Sequence, residues 1–160
     1  MSPHARDIMQ RDVVTVDPET SLLNVHRLFV EEEIHGAPVV DDEGRILGVI
    51  SALDLLRAVD EERDTAVTES SYFRDFLPYS GPDWGASPED FQERLAQRTV
   101  SDVMTEGAIT VDAEASVPEV ARALRSRNVH RVLVVEGGLL VGIISSMDLV
   151  ALLEKEPPGA

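Results

Sequence analysis

His35-Gly36-Ala37-Pro38-Val39-Val40, followed by Gly48-Val49-Ile50-Ser51-Ala52-Leu53-Asp54, has a second version later in the chain. It is His130-Arg131-Val132-Leu133-Val134-Val135, followed by Gly142-Ile143-Ile144-Ser145-Ser146-Met147-Asp148. Each version reads as two apolar strands joined by a tight turn, Asp42-Glu43-Gly44 in the first and Gly137-Gly138 in the second. That pattern is a β-hairpin. The near-continuous apolar runs suggest burial on both faces, and each hairpin runs straight into a helix, Ala52 to about Glu62 and Ser146 to Glu154.

Working outward, the register holds. Asp7-Ile8-Met9 falls on Asp102-Val103-Met104, Thr15-Val16-Asp17 on Thr110-Val111-Asp112, and Ser21, Val25 and Arg27 on Ser116, Val120 and Arg122. Before each hairpin the sequence predicts a short strand, Val13 to Val16 or Ala108 to Val111, and then a helix. Ser21 and Ser116 stand at N-cap positions, and Glu119 completes a capping box with Ser116. Val25, Leu28 and Phe29 form an apolar stripe at helical spacing. The fold class is therefore α/β (α+β): two βαββα repeats at 1–62 and 99–156. A copy of about 50 residues is too small for a comfortable core, so the pair is expected to pack sheet to sheet with pseudo-two-fold symmetry. Clefts for a ligand are expected at such a join.

Between the repeats lies an inserted segment, 63–98, with most of the aromatic residues: Tyr72, Phe73, Phe76, Tyr79, Trp84 and Phe91. Ser87-Pro88 predicts a helix over 88–97, and the aromatic residues before it are expected to pack over the pair or at a subunit contact.

The 160 residues carry a formal net charge of −16, with acidic runs at Glu31–Glu33, Asp41–Glu43 and Asp60–Glu62 read as solvated surface. That field disfavours nucleic acid and anionic membranes, so an anionic ligand needs a local basic pocket. Cysteine is absent, which removes thiolate metal sites and cysteine nucleophiles. No segment resembles a signal peptide or a membrane span, and a cytoplasmic location is expected. The serines lack a Gly-x-Ser-x-Gly setting and the histidines lack metal-ligand spacing, so no catalytic residues are assigned and the chain is not read as an enzyme.

The Gly-x-x-Ser-x-x-Asp stretches admit two readings. Glycine permits close backbone approach, the serine hydroxyl and helix N-terminus suit a phosphate, and the aspartate suits two ribose hydroxyls. Ser-x-x-Asp is equally a capping box that needs no ligand. His35 and His130 likewise read either as ligand contacts or as helix-closing residues, while His4 and His26 read as ordinary surface.

The doubled Asp-Ile-Met and Asp-Val-Met openings, Thr-Val strand ends, His-led strands and Gly-x-x-Ser-x-x-Asp closings resemble the CBS (cystathionine-β-synthase) domain, whose tandem pairs are called Bateman modules. The resemblance covers residues 6 to 60 and 100 to 154. It implies a regulatory module for an adenosine-type ligand: AMP, ADP, ATP or an S-adenosyl compound, with or without magnesium. Asp54 and Asp148 would bind ribose, and Ser51 and Ser145 phosphate or ribose. Backbone groups near Val14, Thr15 and Val16, and near Ile109, Thr110 and Val111, would read adenine. His35, His130 and Arg131 would contact phosphate, with Gly36 leaving the first repeat one cation short. A homodimer and a separate effector protein are the implied partners. The alternative is a divalent-cation sensor or a ligand-free dimerisation adaptor.

Overall fold

The computed structural model describes residues 2–59, 73 and 89–155. These residues form two compact units, which do not coincide with the sequence repeats. One unit holds the described residues within 14–59 and 89–107; the other holds 2–13, Phe73 and 108–155. The segment preceding each strand–helix–hairpin body belongs to the unit of the other body.

In the first unit Ser21 caps helix α2 (Leu22–Glu32), its hydroxyl accepting from the Asn24 amide at 3.2 Å. Leu22, Val25, His26 and Phe29 recur at i, i+3, i+4 and i+7, and all are buried. His26 is therefore no surface residue: its place on the helix, beside Val25, turns it into the core at 1% exposure. Strands β1 (Gly36–Val40) and β2 (Ile46–Ser51) form the expected antiparallel hairpin. The Asp41 carboxylate shapes its turn by accepting from the Glu43 and Arg45 amides, both at 2.9 Å. Of the strand expected at Val13 to Val16, only Val16 bridges the sheet, parallel to Val39.

Helix α3 (Ala52–Val59) follows β2 directly, and residues 60–62 of its expected extent lie outside the described ones. Helix α4 (Glu89–Gln97) packs on α2 and α3 and buries Leu95 fully. The chain then enters the arm of the second repeat. Its short helix α5 (Val100–Val103) buries Val100, and β3 (Thr105–Glu106) completes the sheet beside β2.

The second unit mirrors this arrangement. Helix α1 (Ala5–Ile8), from the arm of the first repeat, docks through the Ala5 amide on the Ala115 carbonyl at 2.8 Å. Gln10 and Ile143 exchange backbone hydrogen bonds at 2.8 and 2.9 Å. Strand β4 (Thr110–Asp112) starts two residues later and ends one residue later than expected, and pairs parallel with β5 (Arg131–Glu136), which pairs antiparallel with β6 (Leu139–Ser145). Helix α6 (Val117–Arg127) has the expected Ser116–Glu119 capping box and ends at Asn128 in the left-handed conformation, φ 54°. Helix α7 (Ser146–Lys155) closes the unit. Of the inserted aromatic residues, Phe73 is buried here, and its carbonyl accepts from the His130 amide at 2.9 Å. The expected packing of Tyr72, Phe76, Tyr79 and Trp84, and of the Phe91 side chain, lies outside the described residues.

Candidate functional site

In each unit the hairpin's last strand passes into the following helix without an intervening loop, leaving the first turn's N–H groups to be satisfied locally. The Ala52 amide donates to the His35 carbonyl at 2.7 Å, and the Ser146 amide to the His130 carbonyl at 2.8 Å. The two histidines thus use their backbones to seat the helices.

In the first unit Oδ2 of Asp54 accepts from the Ser51 amide at 2.8 Å and the Ser51 hydroxyl at 3.1 Å. Its other oxygen, Oδ1, stands 3.7 Å from Nη1 of Arg57, one turn further along α3. The carboxylate therefore divides its work, one oxygen holding the helix cap and the other turned to a cation. Ser51 and Asp54 are almost fully buried. That burial pushes the Asp54 carboxyl above its ordinary range, against the opposing pull of the Ser51 hydrogen bonds and the Arg57 charge.

A cavity of about 360 Å³ opens beside Asp54, walled also by Arg57, Arg98, Met104 and Thr105. Arg98 donates from Nη1 to the Ala58 carbonyl at 3.1 Å. In the second unit Oδ2 of Asp148 accepts from the Ser145 amide at 2.8 Å and hydroxyl at 3.2 Å. Oδ1 there accepts from Nε2 of Gln10 at 2.9 Å. Both junctions have the same plan: capped carboxylate below, exchanged arm above.

The glycines of the motif serve that arm. A Cβ on Gly48 would collide with the Thr105 carbonyl, and one on Gly142 would meet the Met9 side chain and stand 2.9 Å from the Gln10 carbonyl. What approaches the backbone closely is protein.

Among the expected site residues, Asp54 lines the cavity and Ser51 lies directly behind it. Arg131 pairs with Ser145 across the β5–β6 hairpin, while Gly36 pairs with Ser51 across β1–β2. Directly opposed residues share a sheet face, so Arg131 stands beside Ser145. Some of the first strands' backbone groups are bonded within the sheets. The Val16 amide donates to the Pro38 carbonyl and its carbonyl accepts from the Val40 amide, both at 3.0 Å, which commits them to the sheet. The Ile109 carbonyl likewise accepts from the Leu133 amide, Thr110 and Val111 are paired in β4, and Val14 and Thr15 are not walls of the cavity.

Arg57, Arg98, Thr105 and Gln10 were not anticipated. Arg57 carried a signal, three residues past Asp54 on a predicted helix. The others had none, because their position depends on the arms being exchanged.

The family model of the CBS domain matches residues 5–61 and 100–155. Uncharacterized protein MJ1426 of Methanocaldococcus jannaschii is 32% identical over 159 residues, 92% of this chain and 89% of that protein. The solved CBS domain of a CBS domain-containing membrane protein from Sphaerobacter thermophilus is 32% identical, with a TM-score of 0.69 over 95% of this chain and 88% of that one. CBSX2, solved in complex with AMP, is 24% identical, with a TM-score of 0.66 over 96% and 97% of the two chains. With two matched regions in tandem, the chain belongs to the CBS domain family, as a CBS pair.

Proposed function

We propose that this CBS pair is a regulatory module that binds an adenosine-type ligand, AMP, ADP, ATP or an S-adenosyl compound, and passes on the binding event without catalysing a reaction. The observation that carries this reading is the divided carboxylate of Asp54, capped through Oδ2 and, through Oδ1, beside an arginine at a cavity wide enough for part of a nucleotide. Asp148, with Ser145 below and Arg131 nearby, supplies the second copy. The complex of CBSX2 with AMP lends support from a related fold.

Ribose hydroxyls are donors, and a carboxylate already fixed by one oxygen is pre-oriented to accept them with the other. Signalling then requires only that one conformation or assembly bind the ligand better than another. A cytoplasmic homodimer acting on a separate effector protein is part of the same reading. The exposed row Met147, Val150 and Leu153 on α7 offers such a dimer an apolar contact. No helix among the described residues is long and apolar enough to cross a membrane. Among those residues no three His, Asp or Glu side chains gather to hold a metal ion.

A thermal-shift panel of adenosine and guanosine compounds, with and without magnesium, tests the proposal. Stabilisation by adenosine compounds that Asp54→Ala and Asp148→Ala together abolish is the expected result. Silence from every nucleotide with a clear magnesium shift overturns it.

A further inference from the structure

Arg57 and Arg98 converge on one cavity in a chain whose net charge is −16. Arg57 projects from α3 with its side chain 24% exposed, and its 3.7 Å separation from Asp54 exceeds the 2.7–2.9 Å of a tight charge-assisted hydrogen bond. Arg98 closes α4, and its bond to the Ala58 carbonyl uses one of the five N–H donors of a guanidinium. Asp102 is near enough to feel the Arg98 charge, but it sits exposed at the arm helix, caps Thr99 and is not a cavity wall. Within the walls two cations face one carboxylate.

The second unit has neither arginine. The register that lays Asp54 on Asp148 lays Arg57 on Ala151, and the register of the arms lays Arg98 on Pro3. Arg131 stands beside Ser145 on the strand side of that junction, where the first unit has Gly36. The two units therefore place positive charge on different sides of the same motif.

We infer that the first unit is a phosphate-binding unit in its own right, in which Arg57 and Arg98 hold the phosphate of the adenosine ligand from the helix and arm side, replacing the cation that Gly36 omits from the strand side. This rests on the reading of the junctions as adenosine sites. The first repeat, one cation short at Gly36 on the strand side, thus has its positive charge from Arg57 and Arg98 instead.

Calorimetric titration of the full chain with AMP and with adenosine tests it, in an Asp148→Ala background that leaves the first unit's site as the ribose site. AMP is expected to bind more tightly than adenosine, and Arg57→Gln to weaken AMP by about tenfold while shifting adenosine by less than about threefold. Because Arg98 also holds the Ala58 carbonyl, Arg98→Gln is read with its melting curve and Arg57→Gln decides. Equal losses for AMP and adenosine in Arg57→Gln overturn the inference, as does AMP binding that responds to Arg131→Gln alone. Both of those results leave the adenosine reading standing. A wild-type chain that binds neither compound overturns the inference and the adenosine reading together.

Discussion

Gln10 donates a hydrogen bond from Nε2 to Oδ1 of Asp148 at 2.9 Å, although the two residues stand near opposite ends of the sequence. The pairing follows from the backbone bonds between Gln10 and Ile143, which hold the arm against β6. In the first unit the arm residue in the same register is Thr105, whose shorter side chain helps wall an open cavity. One unit thus has this carboxylate oxygen occupied by an amide, and the other has it 3.7 Å from an arginine.

Gln10→Ala is expected to strengthen adenosine binding in the second unit. A ribose hydroxyl must displace the amide from Asp148 to reach Oδ1, and a half-exposed hydrogen bond is worth about 1 kcal/mol, or about fivefold in affinity. Adenosine titration in an Asp54→Ala background isolates that unit. Weaker binding would mean that Gln10 orients the carboxylate rather than competing for it.

Gly48→Ala is expected to cost about 1–3 kcal/mol of stability, because the new methyl collides with the Thr105 backbone and drives β3 from the sheet. Gly142→Ala should cost less. Its nearest obstacle is the flexible Met9 side chain, which can turn aside, although the Gln10 carbonyl lies close behind. Urea unfolding of the two variants compares them, and equal midpoints would show that the arm yields as readily in both units.

Local chemistry was readable in the residues, and long-range exchange was not. The Ser116–Glu119 box and both hairpins depend on residues a few positions apart, so their spacing carried the signal. His26 reads as surface by its polarity, but its i+4 position in the buried row from Leu22 to Phe29 carries it into the core. The two readings of Ser-x-x-Asp need not compete, since Asp54 caps with one oxygen and faces Arg57 with the other. The duplication itself hid Arg98: comparing copy with copy assigns each arm to its own repeat, whereas the fold gives it to the other.

Leu153→Glu is expected to convert the proposed homodimer to monomer while changing stability by no more than about 0.5 kcal/mol. Leu153 and Met147 are each 65% exposed and Val150 is 52% exposed, so a charge there disturbs no core. Sedimentation velocity with a parallel melting curve distinguishes the outcomes. A dimer that persists in the variant would place the subunit contact elsewhere.

Asp54 gives the module opposite pH dependences for stability and binding. Burial, the largest influence on it, raises its folded pKa above the ordinary 3.8. The folded chain then holds the proton more tightly than the unfolded chain. Stability from this group is fully present below the unfolded pKa and is lost as pH rises through the folded pKa. Other carboxylates titrate in the same range, so the useful quantity is the melting difference between wild type and Asp54→Asn, which cannot ionise. That difference is expected to favour the wild type most at the acid end and to shrink as the pH rises. Adenosine affinity in the first unit should move the other way, because an ionised Asp54 accepts ribose hydroxyls more strongly than a protonated one. A melting difference that is flat from pH 3.5 to pH 7 would show that burial does not govern this carboxyl, and an affinity that ignores the same window would separate Asp54 from the ribose.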